Sequence, residues 1–245
     1  MVSAIRREGV CYVLRRALEL AASGTASVAG YMYFRLFKSR RHFALTGRRF
    51  RYLYRWYNRT WRNERCVEVP LVWERVREHS GDRILEIGNV LGHYFRVEHE
   101  VVDKFEAADG VLNEDIVTVD LGKRYDLIVS ISTIEHLGWN ENKYLGDGRT
   151  ETTPDPGRIL AAVENITRHL APGGTFMFTV PVGYSPYMDE VLTEGRLPLD
   201  DMLCLRRCSR DNRWEAVAWE DVLGLRFDAP YTGASGVVVG VIHGN

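Results

Sequence analysis

Residues Arg83–Ile87 (RILEI) form a short apolar run that stops at Gly88, and the chain then repeats that rhythm. Val101–Val102 leads into Asp103, Ile116–Val119 is β-branched, and Tyr125–Ile131 (YDLIVSI) has the composition of a fully buried strand. Helical spacing over Arg158–Leu170 is halted by Pro172-Gly173-Gly174, and Thr175–Val180 (TFMFTV) begins another strand. Met202–Arg207 and Val237–Ile242 (VVVGVI) read as two more. Short strands alternating with helices predict an α/β fold with a doubly wound, mostly parallel sheet. No internal repeat is visible.

The segment before Gly81 has a different character. Tyr12, Leu14, Leu18 and Leu20 lie near helical spacing, and Phe50, Leu53, Tyr54 and Tyr57 fall at i, i+3, i+4 and i+7, so the first 80 residues read as helical. Residues 1–65 hold 15 Lys/Arg against three acids, Glu8, Glu19 and Glu64, while the rest of the chain holds 17 basic and 30 acidic residues. The split predicts a basic helical extension or lid over residues 1–80 and a second unit over 81–245. The extension would dock on the acidic body or face an anionic partner. Residues 20–34 are uncharged, but a run of 15 rich in Ser, Gly and Ala is shorter than the ~20 a spanning helix needs. A packed helix, a membrane-surface helix and a cleaved signal are its three readings, the first favoured.

Length and composition narrow the classes further. A chain of 245 residues accommodates one full domain with an appendage. With 45% hydrophobic and 27% charged residues it is neither collagenous nor wholly disordered. Cys11, Cys66, Cys204 and Cys208 are too scattered for a disulfide framework or a structural zinc site, and a cytoplasmic protein is expected.

The segment with most chemical content is Leu85-Glu86-Ile87-Gly88-Asn89-Val90-Leu91-Gly92. A strand ending in glycine lets backbone amides approach a nucleotide-like ligand. The dinucleotide pattern needs glycines at spacing 0, 2 and 5, and Val90 and His93 occupy the last two, so an NAD site is excluded. The segment instead resembles motif I of class I S-adenosylmethionine (SAM)-dependent methyltransferases, matched at Glu86, Gly88 and Gly92 and departing at Val90. Further features follow in the family's order over about residues 82–182. Asp103 sits where the family's acid holds the ribose hydroxyls, and Asp115-Ile116 sits where it places an acid and an apolar neighbour on adenine. Ala171-Pro172-Gly173-Gly174 matches the turn before the fifth strand. The resemblance implies a Rossmann-like sheet of seven strands and SAM as cofactor, held by Glu86, Gly88, Asn89, Gly92, Asp103, Asp115, Ile116, Ser130 and Ser132. The interval from Gly92 to Val101 leaves room for only two turns of the helix that usually follows motif I.

The fourth strand runs into Glu135-His136, which looks like the Glu-His pair of several O-methyltransferases. An alcohol is a poor nucleophile at neutral pH, so an imidazole able to remove its proton is chemically apt. Glu135 and His136 would alternatively hold Mg²⁺ or another divalent cation, with further acids drawn from Glu141, Asp147, Asp189 or Glu190. Trp139, Tyr184, Tyr187 and Arg65 are the acceptor-side candidates, and residues 139–156 form a polar insertion beside them. Asp126, at the start of its strand, reads as structural.

The sequence is similar to bacterial sugar and polysaccharide O-methyltransferases, which implies methyl transfer to a hydroxyl of a small-molecule or oligosaccharide acceptor. Two other readings stay open: a catalytically silent methyltransferase fold used as an interaction module, and an RNA-modifying enzyme using the basic N-terminus. No DNA partner is expected. A homodimer, and contact of residues 1–65 with a membrane surface or RNA, also stay open.

Overall fold

The central sheet has eight strands: β3 (Ile84–Ile87), β4 (Glu100–Val102), β5 (Val111–Leu112), β6 (Tyr125–Ile131), β7 (Leu170–Pro181), β8 (Asp201–Arg207), β9 (Trp214–Val217) and β10 (Gly236–His243). They lie in the order β5-β4-β3-β6-β7-β10-β8-β9 in a computed structural model that describes residues 25–79, 83–141 and 154–245. Pairings from β5 through β7 are parallel, whereas β10 runs antiparallel to both β7 and β8, and β8 antiparallel to β9. This is the mostly parallel Rossmann-like sheet that the strand pattern predicts. The eighth strand corrects the expectation of seven: Trp214–Val217 folds back on β8 through a turn closed by Asn212, whose φ is 56°.

Both faces of the sheet are covered, so its strands are apolar at consecutive positions. On β6, Ile128 faces a core built with α3 (Gly157–Arg168) and α4 (Pro186–Thr193). Leu127, Val129 and Ile131 face the opposite way, toward Val69, Val72 and Val76 of α2 (Arg65–Arg77). The same period of two separates Val238 and Ile242 of β10 from Val237 and Val239. Ile84 of β3 shares the core built with α2 while Leu85 and Ile87 face the other, so helix and strand pack together although a change of character lies between them in sequence.

The N-terminal segment is not uniformly helical. A helix, α1, spans 25–37, but β1 (His42–Leu45) and β2 (Arg48–Arg51) then form a hairpin, and Leu53–Tyr54 is extended. The helical spacing of Phe50, Leu53, Tyr54 and Tyr57 gives way to a period of two, in which Phe43, Leu45, Phe50 and Tyr52 turn inward and Ala44, Arg49 and Arg51 outward. Thr46 and Gly47 both have positive φ, 48° and 76°, the backbone a two-residue hairpin turn requires. Phe43 and Phe50 are register partners with stacked rings 5.5 Å apart. With Phe34, Tyr52, Tyr54 and Trp61 they cover Leu205, Val237 and Val239 of the sheet. Among the described residues, Lys38 and Arg41 of the basic segment pair with Asp211 of the body, and Arg48 pairs with Glu78 within the first 80 residues.

A second correction concerns Ile116–Val119, whose β-branched run is a turn. Asp115 accepts from the backbone N–H of Val117 through its side chain and from Thr118 and Val119 through its carbonyl, and the third parallel strand is the short Val111–Leu112. The helix expected after Gly92 shrinks to one 3₁₀ turn, Leu91–His93. Among the described residues no helix is long and apolar enough to cross a membrane. Cys11, Asp147, the helical spacing at Tyr12–Leu20 and most of the insertion at 139–156 lie outside the described residues.

Candidate active site

At the carboxyl ends of β3, β4 and β6, where the order of strands reverses, lies a cavity of about 440 Å³. Such switch points are where open α/β sheets hold ligands. The cavity brings together Arg65, Gly88, Asn89, Asp103, Asp115, Ile116, Ser132 and His136 from the residues singled out in the sequence.

Its floor is set by the turn after β3. Gly88 has φ 81° and donates to Val102 O, which ties the end of β3 to β4. A Cβ at Gly88 would overlap Oγ1 and Cγ2 of Thr133, so only glycine fits this crossing. Glu86 does not face the cavity. It is fully buried, with Oε1 accepting from the amides of Val90 and Leu91 at 2.9 and 2.7 Å and Oε2 2.9 Å from His99 Nε2. Its carboxylate holds the loop from beneath, and Val90, with φ −85° and ψ −44°, has right-handed helical backbone that does not require glycine. Gly92 also lies outside, against the Asn89 side chain, and Ser130 is buried with its hydroxyl on Ile87 O.

Asp103 follows β4 one residue after Val102. Its Oδ1 accepts from the amides of Phe105 and Glu106, both at 2.8 Å, which fixes the carboxylate at the rim with Oδ2 3.4 Å from the Asn89 amide. Asp115 is less open. It pairs with Lys104 at 2.9 Å and Arg158 at 2.6 Å, and both cations also reach Glu141. Burial would raise its pKa, but hydrogen bonds from Val117, Lys104 and Arg158 hold it below the ordinary carboxylate value.

The opposite end of the cavity is built over buried acids. Ser132, just past β6, sits at φ 40°, an uncommon conformation for a side chain of its type, and donates to Glu68 Oε1 at 2.8 Å. Arg65 donates to Glu68 Oε2 at 2.8 Å and lies near Glu64 and Glu135. Burial opposes the charge on Arg65, but those three acids outweigh it and keep the guanidinium protonated. Burial pushes the Glu135 carboxyl well up; Arg65 draws it down, and Glu68 and Glu64 raise it further. Glu135 Oε2 has no hydrogen-bond partner and the residue is 1% exposed, so it lies behind the cavity wall rather than on it.

His136 does line the cavity. Its Nδ1 is 2.6 Å from Asn140 Oδ1 and 3.4 Å from the Tyr184 hydroxyl, and its Nε2 is 3.9 Å from Glu135 Oε1. Tyr184 packs edge-on against the imidazole and against Phe227. Trp139 and Tyr187 contact each other at 5.4 Å, outside the cavity lining. Asp126 pairs with Arg83 at 3.0 Å.

No three His, Cys, Asp or Glu side chains converge among the described residues. Glu141 is taken by Lys104 and Arg158, Asp189 by the Gly183 amide and Glu190 by Arg196. The described residues do not supply a ligand set for a divalent cation bound through Glu135 and His136.

Sequence reasoning missed several lining residues: Tyr57, Asn58, Tyr94, Lys104, Phe105, Glu106 and Thr133. Asn58 adopts φ 51° at the rim, and burial pushes the Tyr94 hydroxyl up to about 12. Their positions depend on the turn at 57–62 and on the short loop after Gly92. The one local signal was the aromatic pair Tyr94-Phe95 immediately after that loop.

No family model and no curated protein matches the chain. Solved structures that it resembles include the N-methyltransferase NodS from Bradyrhizobium japonicum WM9 in complex with S-adenosyl-L-homocysteine, at 14% identity and TM-score 0.40, covering 74% of this chain and 90% of that one. An rRNA methylase from Streptococcus thermophilus gives 12% identity and TM-score 0.40, over 73% and 97%. CalS10, an amino pentose methyltransferase from Micromonospora echinaspora, gives 17% and 0.36, over 71% and 89%. Likeness at this level bears on neither substrate nor chemistry.

Proposed function

We propose that the cavity holds SAM and that the chain is a methyltransferase acting on a hydroxyl of a small or glycosidic acceptor. The observation that carries this reading is the pairing of Gly88 and Asp103 at the mouths of adjacent parallel strands, facing one cavity. Gly88 allows a ligand to approach bare backbone, and Asp103, whose Oδ1 is held by the amides of Phe105 and Glu106, would present Oδ2 to a ribose hydroxyl. Ile87, Val102 and Ile116 supply apolar surface on which a flat base packs.

SAM when bound supplies an activated methyl group on a sulfonium. Asp103 would accept from the ribose, Asn89 and the Gly88 turn would border the methionine portion, and Arg65 suits its carboxylate. In this reading His136, which lines the cavity, takes the proton. With Asn140 Oδ1 accepting from Nδ1–H, the neutral imidazole would carry its basic lone pair on Nε2. Deprotonation of the acceptor hydroxyl by that nitrogen, with alignment by the cavity walls, accounts for the catalysis the protein itself must provide. The test is transfer of labelled methyl from SAM to a panel of sugars, quinols and RNA, with and without magnesium. Label on a sugar or quinol hydroxyl, independent of magnesium, is the expected result; label only on RNA, or on no acceptor, would displace the reading.

A further inference from the structure

On α1, Tyr31 and Phe34 pack with the hairpin and Trp61, Ser27 is buried on the same side, and the opposite side is apolar and open. Val28, Ala29, Met32, Tyr33, Leu36 and Phe37 recur at i, i+1, i+4, i+5, i+8 and i+9, which places them on one continuous face. Leu36 and Phe37 are 64% and 74% exposed, and no described residue covers the stripe. A soluble monomer rarely leaves such a face to water.

The charge of the segment that carries it selects the occupant. Residues 25–65 carry 11 Lys/Arg and one acid, Glu64, which is buried. Arg35, Arg40, Arg49, Arg51, Arg55 and Arg59 are exposed and form no ion pair among the described residues. A second copy docking here would bring two such basic surfaces together, which Coulomb repulsion opposes. RNA would satisfy the arginines but has no use for six outward apolar side chains on a helix. An anionic lipid surface satisfies both, because its headgroups attract the arginines and its acyl boundary takes the apolar stripe. We infer that the outward face of α1 docks the protein on the surface of an anionic membrane, with Leu36 and Phe37 inserted and the exposed arginines above the headgroups.

Docking by α1 and methyl transfer at the cavity are separable, since the stripe contains no cavity residue. The experiment is co-sedimentation of the full chain with vesicles of phosphatidylcholine alone and of phosphatidylcholine mixed with phosphatidylglycerol. Wild type should pellet with the mixed vesicles and less with the neutral ones, and added salt should release it. Leu36→Asp/Phe37→Asp should lose about ten-fold or more in vesicle affinity. Arg40→Glu/Arg49→Glu should lose the preference for anionic lipid. Both pairs are exposed, so unchanged melting temperatures and unchanged SAM binding are expected alongside. Wild type remaining in the supernatant with mixed vesicles would overturn the inference. So would Leu36→Asp/Phe37→Asp pelleting like wild type, or that variant turning a dimer into a monomer while vesicle binding stays as it was.

Discussion

His136 Nδ1 lies 2.6 Å from Asn140 Oδ1, and Asn140 Nδ2 in turn donates to the Tyr184 hydroxyl at 2.7 Å. In this orientation of the amide, Oδ1 accepts from Nδ1–H, which places the neutral imidazole's proton on Nδ1. Asn140 is thus a positioning residue for the proposed base. His136→Ala should retain its fold and SAM affinity and lose about 10²–10⁴-fold in kcat. Asn140→Ala should fall between that variant and wild type. Asn140→Asp should shift the rising limb of the pH–rate profile upward, because a carboxylate facing Nδ1 stabilises the imidazolium. Kinetics over pH check all three; an Asn140→Ala profile superimposable on wild type would remove the positioning role.

Glu135 gives a pH dependence of stability. Its folded pKa is raised, chiefly by burial, so the folded state holds the proton more tightly than the unfolded chain does. The unfolded carboxyl ionises near its ordinary value, ~4.3, and from there stability should fall as pH rises toward the folded pKa. Glu135→Gln removes that loss. Its melting temperature relative to wild type should therefore climb between pH 5 and pH 8, and a constant difference across that range would contradict the assignment.

Asn212 joins the N-terminal segment to the sheet. It is fully buried, donates from Nδ2 to Asn63 O at 2.8 Å and Thr60 O at 3.3 Å, and accepts from Trp214 Nε1 at 2.8 Å. Asn212→Ala leaves several buried polar atoms unpaired and strains a backbone at φ 56°. A loss of about 2–4 kcal/mol is expected by denaturant unfolding.

The parallel half of the sheet was legible because its strands are buried on both faces and so are written as unbroken apolar runs. Tyr125–Ile131 needed no tertiary knowledge, and neither did Val237–Ile242, an antiparallel strand buried on both faces in the same way. The hairpin was not legible, since Phe50, Leu53, Tyr54 and Tyr57 satisfy helical spacing and the turn at Thr46-Gly47 lacks the usual Asn-Gly pair. At the site, Gly88 and Asp103 could be found because each sits at the end of a recognisable strand. Glu64 and Glu68 could not, because their burial beside Arg65 and Ser132 comes from α2 packing across β6. Asp115 shows a further limit: sequence places it at the cavity, but only the fold reveals that Lys104 and Arg158 both engage Oδ2 while the Val117 amide donates to Oδ1.

The loop beneath the cavity should depend on Glu86. Glu86→Ala strips the partner from two buried amides, Val90 and Leu91, and leaves His99 without its carboxylate. Lowered stability together with weakened SAM binding is expected, whereas Glu86→Gln, which keeps one acceptor oxygen for the amides, should recover part of both. Thermal melts with and without SAM check the pair.

The most direct measurement is calorimetric titration of SAM, and of its demethylated product, into wild type, Asp103→Ala and Gly88→Ala. Wild type should bind both ligands at one site per chain. Asp103→Ala should weaken binding by ~1–3 kcal/mol, about ten-fold or more. Gly88→Ala, whose Cβ overlaps Thr133, should abolish it. A wild type that binds neither ligand, or affinities unchanged in both variants, would contradict the assignment of the cavity.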